Sequence, residues 1–491
     1  MNSKNWIRRI VYFQEKRSYH FYTILIFALF VGSIRSLEEI LLAHRMYESA
    51  HIFNNCAFYF LIIWSFTLLV TLLTGVAWRK AIHAVLIGVF LGIFPPIIDV
   101  LIYGIGGFKY GYFTGMPSLR QLLLFEPSKG FPIGEGGILW ATTGFTAYYV
   151  WLKTGNWIRT LLGGIFAYAL LLNAGWIIPS VGAFLESRFH VMYIILLSIL
   201  QILTAVIFYF LLNPAMAARL LTRSLHCVPF ILLTFLGSAL SGGITPMSFI
   251  MAGLVLFAGI VTLAQNDYYD KDEDALEGRV AYIDRHDVLF FNTTFLALML
   301  LLYNTGGYLY LPLVTMFICS VLYNYDFYRA KRFFPGNYKI EGIWGMGSFL
   351  AGIMCQGAIV FSKEILIYTF LVFGGWSLVS TFKDYKDIEA DRNVGNQTGY
   401  VMLMKTGLSL EQAHKIVSMV IILCFCVPAV WLFFLPVPRI WSILFPIIMI
   451  GALALTLQKP PSKSVVKGLL IITSAYLLVL LLLLVKYLSA V

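Results

Sequence analysis

The chain has 491 residues, 60% of them hydrophobic and 12% charged, with a mean hydropathy of +0.83 and a formal charge of +11 at pH 7. Apolar runs of roughly 18–25 residues recur along nearly its whole length, which excludes a soluble globular protein and reads as an all-α polytopic membrane protein. Its basic residues sit in short loops beside those runs, where they orient helices and meet anionic lipid, so nucleic acid is not the expected partner.

The first run, from Phe21, carries Arg35, Glu38 and Glu39 and has no small-residue cleavage site behind it, so it reads as a retained span and not a signal peptide. Further spans are expected at about 52–76, 81–106, 136–153, 157–180 and 190–212. Charge inside a membrane segment needs a partner. Arg35 is expected to pair with Asp99 or Glu39 as a structural ion pair. The Gly-, Pro- and aromatic-rich stretch Gly107–Gly137 suggests a re-entrant or capping segment, its "GIGG" and "GEGG" serving as turns and close-packing points. This N-terminal membrane domain, residues 1–212, leaves two uses open: handling a lipid substrate or binding a partner protein.

A break is expected at Asn213–Pro229, followed by spans at about 228–242, 246–267, 286–303, 308–325, 340–361, 364–383, 413–435, 439–457 and 465–487. The architecture is thus about six helices and then about nine, in domains 1–212 and 213–491. Counting Lys and Arg in alternate loops places the N-terminus on the cytoplasmic side. The six cysteines lie in or beside apolar spans without zinc-like spacing, so neither a metal site nor a disulfide framework is indicated.

The chemistry concentrates where span 246–267 ends, in "QNDYYDKDED". Asp267, Asp270 and Asp274 are spaced three then four. Asp384, Asp387 and Asp391 repeat that spacing 117 positions later, after four intervening spans and therefore on the same cytoplasmic face. Such spacing puts each triplet on one side of a helix. Like charges there repel by about 1 kcal/mol per close pair in water, more near a low-dielectric surface, so a cation is expected. An all-oxygen donor set suits Mg²⁺ completed by water and phosphate. Solvated acidic loops balanced by Lys271, Arg279, Lys383, Lys386 and Arg392 are the alternative for either stretch alone. Between the two lies the basic, aromatic loop Tyr323–Lys339, whose Arg329 and Lys331 are placed to hold phosphate. Together the three stretches describe a pyrophosphate clamp.

These residues resemble the UbiA superfamily of intramembrane prenyltransferases. Asn266, Asp267, Asp270 and Asp274 match its NDxxDxxxD motif, Lys383, Asp384, Asp387 and Asp391 its second motif, and Tyr323, Arg329, Lys331 and Arg332 its linking signature, with Asn324 where Ser is common. The resemblance covers about 215–491. Two features depart from the common pattern: Val280–Ala281 follow Arg279 where many members have Arg-Pro, and Ala390 stands where Gly is frequent. The resemblance implies a nine-helix bundle that moves an isoprenoid chain from a prenyl pyrophosphate to a lipophilic acceptor. It implies two Mg²⁺ ions served by Asn266 and the six aspartates, with Asp270, Asp387, Asn266 and Lys331 in catalysis and Arg329, Lys331, Lys383 and Tyr323 on the pyrophosphate. A terpene cyclase using the same clamp, or a cation-coupled transporter, is the competing reading. Transporter ion sites tend to lie near the bilayer midplane, whereas these aspartates fall at helix ends.

Overall fold

The structure is a computed structural model. It describes residues 21–44, 49–108, 132–172, 178, 181, 184, 193–271, 282–305, 308–325, 328–332, 336–356, 363–385, 388, 391–392 and 395–420. Every regular element among them is helical: α1 Phe21–Leu42, α2 Ser49–Thr74, α3 Trp78–Phe90, α4 Pro95–Tyr103, α5 Ile133–Thr154, α6 Trp157–Leu172, α7 Tyr193–Leu212, α8 Pro214–Ser224, α9 Val228–Ser241, α10 Pro246–Tyr269, α11 Arg285–Tyr303, α12 Tyr310–Asn324, α13 Gly336–Ile353, α14 Lys363–Tyr385 and α15 Gly399–Lys405, with 410–420 helical beyond them. Six described segments are long and apolar enough to cross a membrane, and the chain is an all-α, polytopic integral membrane protein. The expected spans from 413 onward lie largely outside the described residues.

The chain divides into two compact units, one of residues 1–218 with 292–306 and one of residues 219–291 with 307–491. In the first unit the expected single span 81–106 is interrupted. A short 3₁₀ turn, Leu91–Ile93, separates α3 from α4 because Pro95 and Pro96 offer no N–H to the preceding turn. Gly92 would normally bond its carbonyl to the N–H of residue 96. Instead that carbonyl accepts from Arg35 Nη1 (3.3 Å) and Tyr59 Oη (3.2 Å). Arg35 also reaches Glu39 (2.7 Å) and Glu135 (2.8 Å), so its guanidinium ties α1, α5 and the broken helix together. The expected Arg35–Glu39 pair forms. Asp99 has a different use: its Oδ1 accepts from the Gly134 N–H at 2.6 Å, at the start of α5. A Cβ on Gly134 would meet the Pro95 carbonyl at 2.6 Å, so the close approach requires glycine. Gly104 and Gly106 turn the chain with φ of 78° and 73°.

In the second unit, α13 packs on both α9 and α14. Glycines set these contacts. A Cβ on Gly345 would meet Trp376 at 3.1 Å and one on Gly342 the Phe373 carbonyl at 2.7 Å. Gly342 lying against Phe373 and Tyr338 against Asp384 make α13 and α14 antiparallel, with the start of α13 beside the end of α14. Phe230 of α9 packs on Trp344 and Trp376 at centroid distances of 5.7 and 5.0 Å. A polar ladder joins α10 to α12: Thr262 bonds Ser320, and the Asn324 amide donates to the Gln265 side chain (3.4 Å) and the Ser320 carbonyl (3.1 Å). In an apolar surrounding such groups must be satisfied within the protein, so this ladder fixes the register of α12 against α10. The expected break at Asn213–Pro229 is instead mostly helix, α8 followed by a 3₁₀ turn at Leu225–Cys227. Among the described residues, Cys56, Cys227, Cys319 and Cys355 are buried free thiols.

Candidate active site

Helix α10 runs with most of its apolar length buried and ends at Tyr269, with Asp270 as its C-cap. The first acidic stretch therefore straddles a helix end, where Asn266 accepts the Asp270 N–H through its carbonyl at 2.9 Å. Asp267 is 2% exposed, a burial that an isolated carboxylate could not sustain. Two cations from α8 hold it: Arg219 Nε reaches Oδ2 at 2.5 Å, and Arg223 Nη1 contacts Oδ1. These arginines are four apart on one helix and so share a face. Their spacing is legible in the sequence, but the segment looks like a loop break because it is too polar for a span.

Asp270 has cationic partners of its own. Arg329 Nη2 lies 3.0 Å from Oδ1 and 3.2 Å from the Tyr269 carbonyl, and Lys331 Nζ also contacts Oδ1. Arg329 adopts φ of 43°, a left-handed conformation rare for a side chain of this size, and is 7% exposed. The turn holding it follows α12, where Tyr325 packs against Tyr269 with the rings tilted and 4.5 Å between centroids. Tyr323 stands on the last turn of α12, partly exposed.

The second acidic stretch begins at the end of α14. Asp384 Oδ2 accepts from Tyr338 Oη at 2.6 Å and Asn337 Nδ2 at 3.0 Å, both on the first turn of α13. Asp391 Oδ1 accepts from Asn396 Nδ2 at 2.9 Å. The Gln397 N–H donates to the Arg332 carbonyl at 2.5 Å, joining the residues after this stretch to the basic turn. Asp270 and Asp384 thus both contact one short segment, Arg329–Tyr338. Asp274, Asp387 and Arg279 lie outside the described residues, as does the Lys383 side chain.

Among the described residues no three His, Cys, Asp or Glu side chains gather closely enough to hold an ion by themselves. The donors at this end of the unit are nevertheless oxygen donors: Asp267, Asp270, Asp384 and Asp391. That set fits Mg²⁺, which takes one or two carboxylates and leaves the rest of its octahedral shell to water and phosphate. It does not suit a softer metal that prefers thiolate or imidazole.

The UbiA prenyltransferase family matches residues 226–474, about half of the chain. The chain belongs to this family. Membership covers the second unit's acidic stretches and the basic turn between them, and makes prenyl transfer the activity expected at the level of the family. No curated protein matches the chain. Solved structures similar to it include a digeranylgeranylglyceryl phosphate synthase (18% identity, 55% of this chain and 96% of that one, TM-score 0.41). Two others are a UbiA homolog from Archaeoglobus fulgidus bound to GPP and Mg²⁺ (14% identity, 54% and 98%, TM-score 0.37) and the same homolog bound to DMAPP and Mg²⁺ (15% identity, 54% and 97%, TM-score 0.37). These likenesses are too distant to carry over a substrate.

Proposed function

We propose that residues 213–491 form a Mg²⁺-dependent prenyltransferase domain that moves an isoprenoid chain from a prenyl pyrophosphate to a lipophilic acceptor within the membrane. The observation that carries this reading is the contact of Asp270 and Asp384 with the single segment Arg329–Tyr338. Carboxylates for metal and cations for phosphate then meet at one end of the unit, the arrangement a pyrophosphate leaving group needs.

In this reading Asp267, Asp270, Asp274, Asp384, Asp387 and Asp391 hold two Mg²⁺ ions directly or through water, and Asn266 orients that shell. Magnesium, when bound, neutralises the pyrophosphate and makes it a better leaving group. Arg329, Lys331 and Lys383 hold phosphate oxygens, and Tyr323 borders the same space. Arg219 and Arg223 join them, because a guanidinium released from Asp267 keeps its charge and its fork of donors for phosphate. The allylic C–O bond breaks with its electron pair leaving on the pyrophosphate. The acceptor carbon or oxygen then captures the allylic cation and gives up a proton. An apolar, water-poor surrounding protects that cation from hydrolysis. By the distribution of basic loops, the site opens to the cytoplasmic face.

The test is incubation of the purified full chain with a labelled prenyl pyrophosphate, with and without a host lipid extract. Label appearing in a new lipid only when extract and Mg²⁺ are both present supports transfer. Label in a cyclic hydrocarbon without extract would replace this reading with cyclisation.

A further inference from the structure

Resting on the reading above, we infer that Tyr338, Asn337 and Asn396 are positioning residues that aim the Asp384 and Asp391 carboxylates at the metal, through a strap formed by residues 396–399. Asp267 and Asp270 are held by cations. At Asp384 the Tyr338 hydroxyl and the Asn337 amide both donate to the same oxygen, Oδ2, at 2.6 and 3.0 Å. These two donors are neutral: they fix the plane of the carboxylate without themselves cancelling its charge.

Tyr338 is itself held. Its oxygen accepts the Gly399 N–H at 3.0 Å while donating to Asp384, and each bond polarises the other. A Cβ on Gly399 would stand 2.7 Å from that oxygen, so glycine is what allows the backbone to approach. The neighbouring residues of the strap address the other parts of the site. Asn396 bonds Asp391 twice, by side chain to Oδ1 at 2.9 Å and by N–H to the carbonyl at 2.8 Å, and Gln397 N–H takes the Arg332 carbonyl. Residues 396, 397 and 399 thus connect in turn to Asp391, to the basic turn and, through Tyr338, to Asp384. Tyr338, Asn337 and Asn396 are 6%, 4% and 7% exposed, so water competes little for these bonds. Partners that orient a metal's carboxylates from outside its shell typically change its affinity by about 10–100-fold when removed.

The experiment titrates Mn²⁺, a Mg²⁺ probe, into the purified full chain in lipid nanodiscs with a non-cleavable prenyl pyrophosphate analogue present, reading free Mn²⁺ by electron paramagnetic resonance. Wild type is compared with Tyr338→Phe, which keeps the ring and loses the hydroxyl, with Asn396→Ala, and with Asp384→Asn as the loss of a ligand. Tyr338→Phe and Asn396→Ala are each expected to weaken Mn²⁺ about tenfold, with the metal-free unfolding midpoint little changed and kcat recovered by raising Mg²⁺. If both bind Mn²⁺ within twofold of wild type while Asp384→Asn loses it, the positioning role is overturned and the metal site stands. If Asp384→Asn also binds like wild type, the metal reading of the second stretch falls with it. Should Tyr338→Phe fail to fold, Asn396→Ala decides alone by the same criterion.

Discussion

Replacing Arg223 or Arg219 by Gln makes a prediction whose sign depends on whether pyrophosphate is present. In the metal-free chain both guanidiniums sit on Asp267, whose side chain is 2% exposed, while those of Arg219 and Arg223 are 20% and 33% exposed. A metal ion that takes Asp267 must displace them, so its affinity is lowered by the strength of the pairs it breaks. For Arg223, a third exposed, solvent screening holds that strength near 1 kcal/mol, or about a fivefold effect. For the better-buried Arg219, about 2 kcal/mol corresponds to about thirtyfold. Arg223→Gln and Arg219→Gln are therefore expected to tighten Mn²⁺ binding to the chain alone by about these factors. The double variant should fall short of their product, because both act on one carboxylate. With inorganic pyrophosphate present the sign should reverse, since the lost cation would have held a phosphate oxygen. Titration with and without pyrophosphate, by calorimetry or by the resonance of free Mn²⁺, checks both arms. Metal affinity that is unchanged or weaker in both single variants without pyrophosphate would refute the competition.

Three further outcomes follow from the packing. Arg329 holds φ of 43°, so Arg329→Gly should be about 1 kcal/mol more stable than Arg329→Ala while both lose the contact to Asp270; equal unfolding midpoints would show that the backbone carries no strain. Gly342→Ala drives a methyl into Ser377 and the Phe373 carbonyl and should cost about 1–3 kcal/mol, whereas Gly374→Ala meets nothing within 4 Å and should be neutral or stabilising in thermal unfolding. Arg35→Met leaves Glu39 and Glu135 without their shared cation and should cost about 3–5 kcal/mol, part of which Arg35→Met combined with Glu39→Gln recovers; no recovery in the unfolding midpoint would show that charge is not the cause.

What was legible in the sequence follows from which physical terms are local. Spans declare themselves because a bilayer demands apolar length, and the expected span 246–267 lies within Pro246–Tyr269. The Arg35–Glu39 pair was readable from its spacing of four, but Glu135, 100 positions from Arg35, was not. The interruption before Pro95 was hidden because a hydropathy window averages two prolines into an apolar run. Helix α8 is hidden for the opposite reason: its basic residues break the apolar pattern, and so the segment Asn213–Pro229 that holds Arg219 and Arg223 reads as a break. The aspartate spacing was visible because repeated charge is conspicuous. Asn337, Tyr338 and Asn396 are neutral and ordinary in composition, and they reach aspartates only because glycines let α13 lie against α14 and the strap turn back.

The most direct test of the proposed chemistry is Mg²⁺-dependent pyrophosphate release by the purified full chain across a panel of prenyl pyrophosphates, comparing wild type with Asp270→Ala and Asp387→Ala. The account predicts release by wild type from at least one member of the panel, abolished by omitting Mg²⁺ and by either substitution. Release that continues undiminished in both variants, or a wild type that is inert on every member while it still binds the cation, would contradict it.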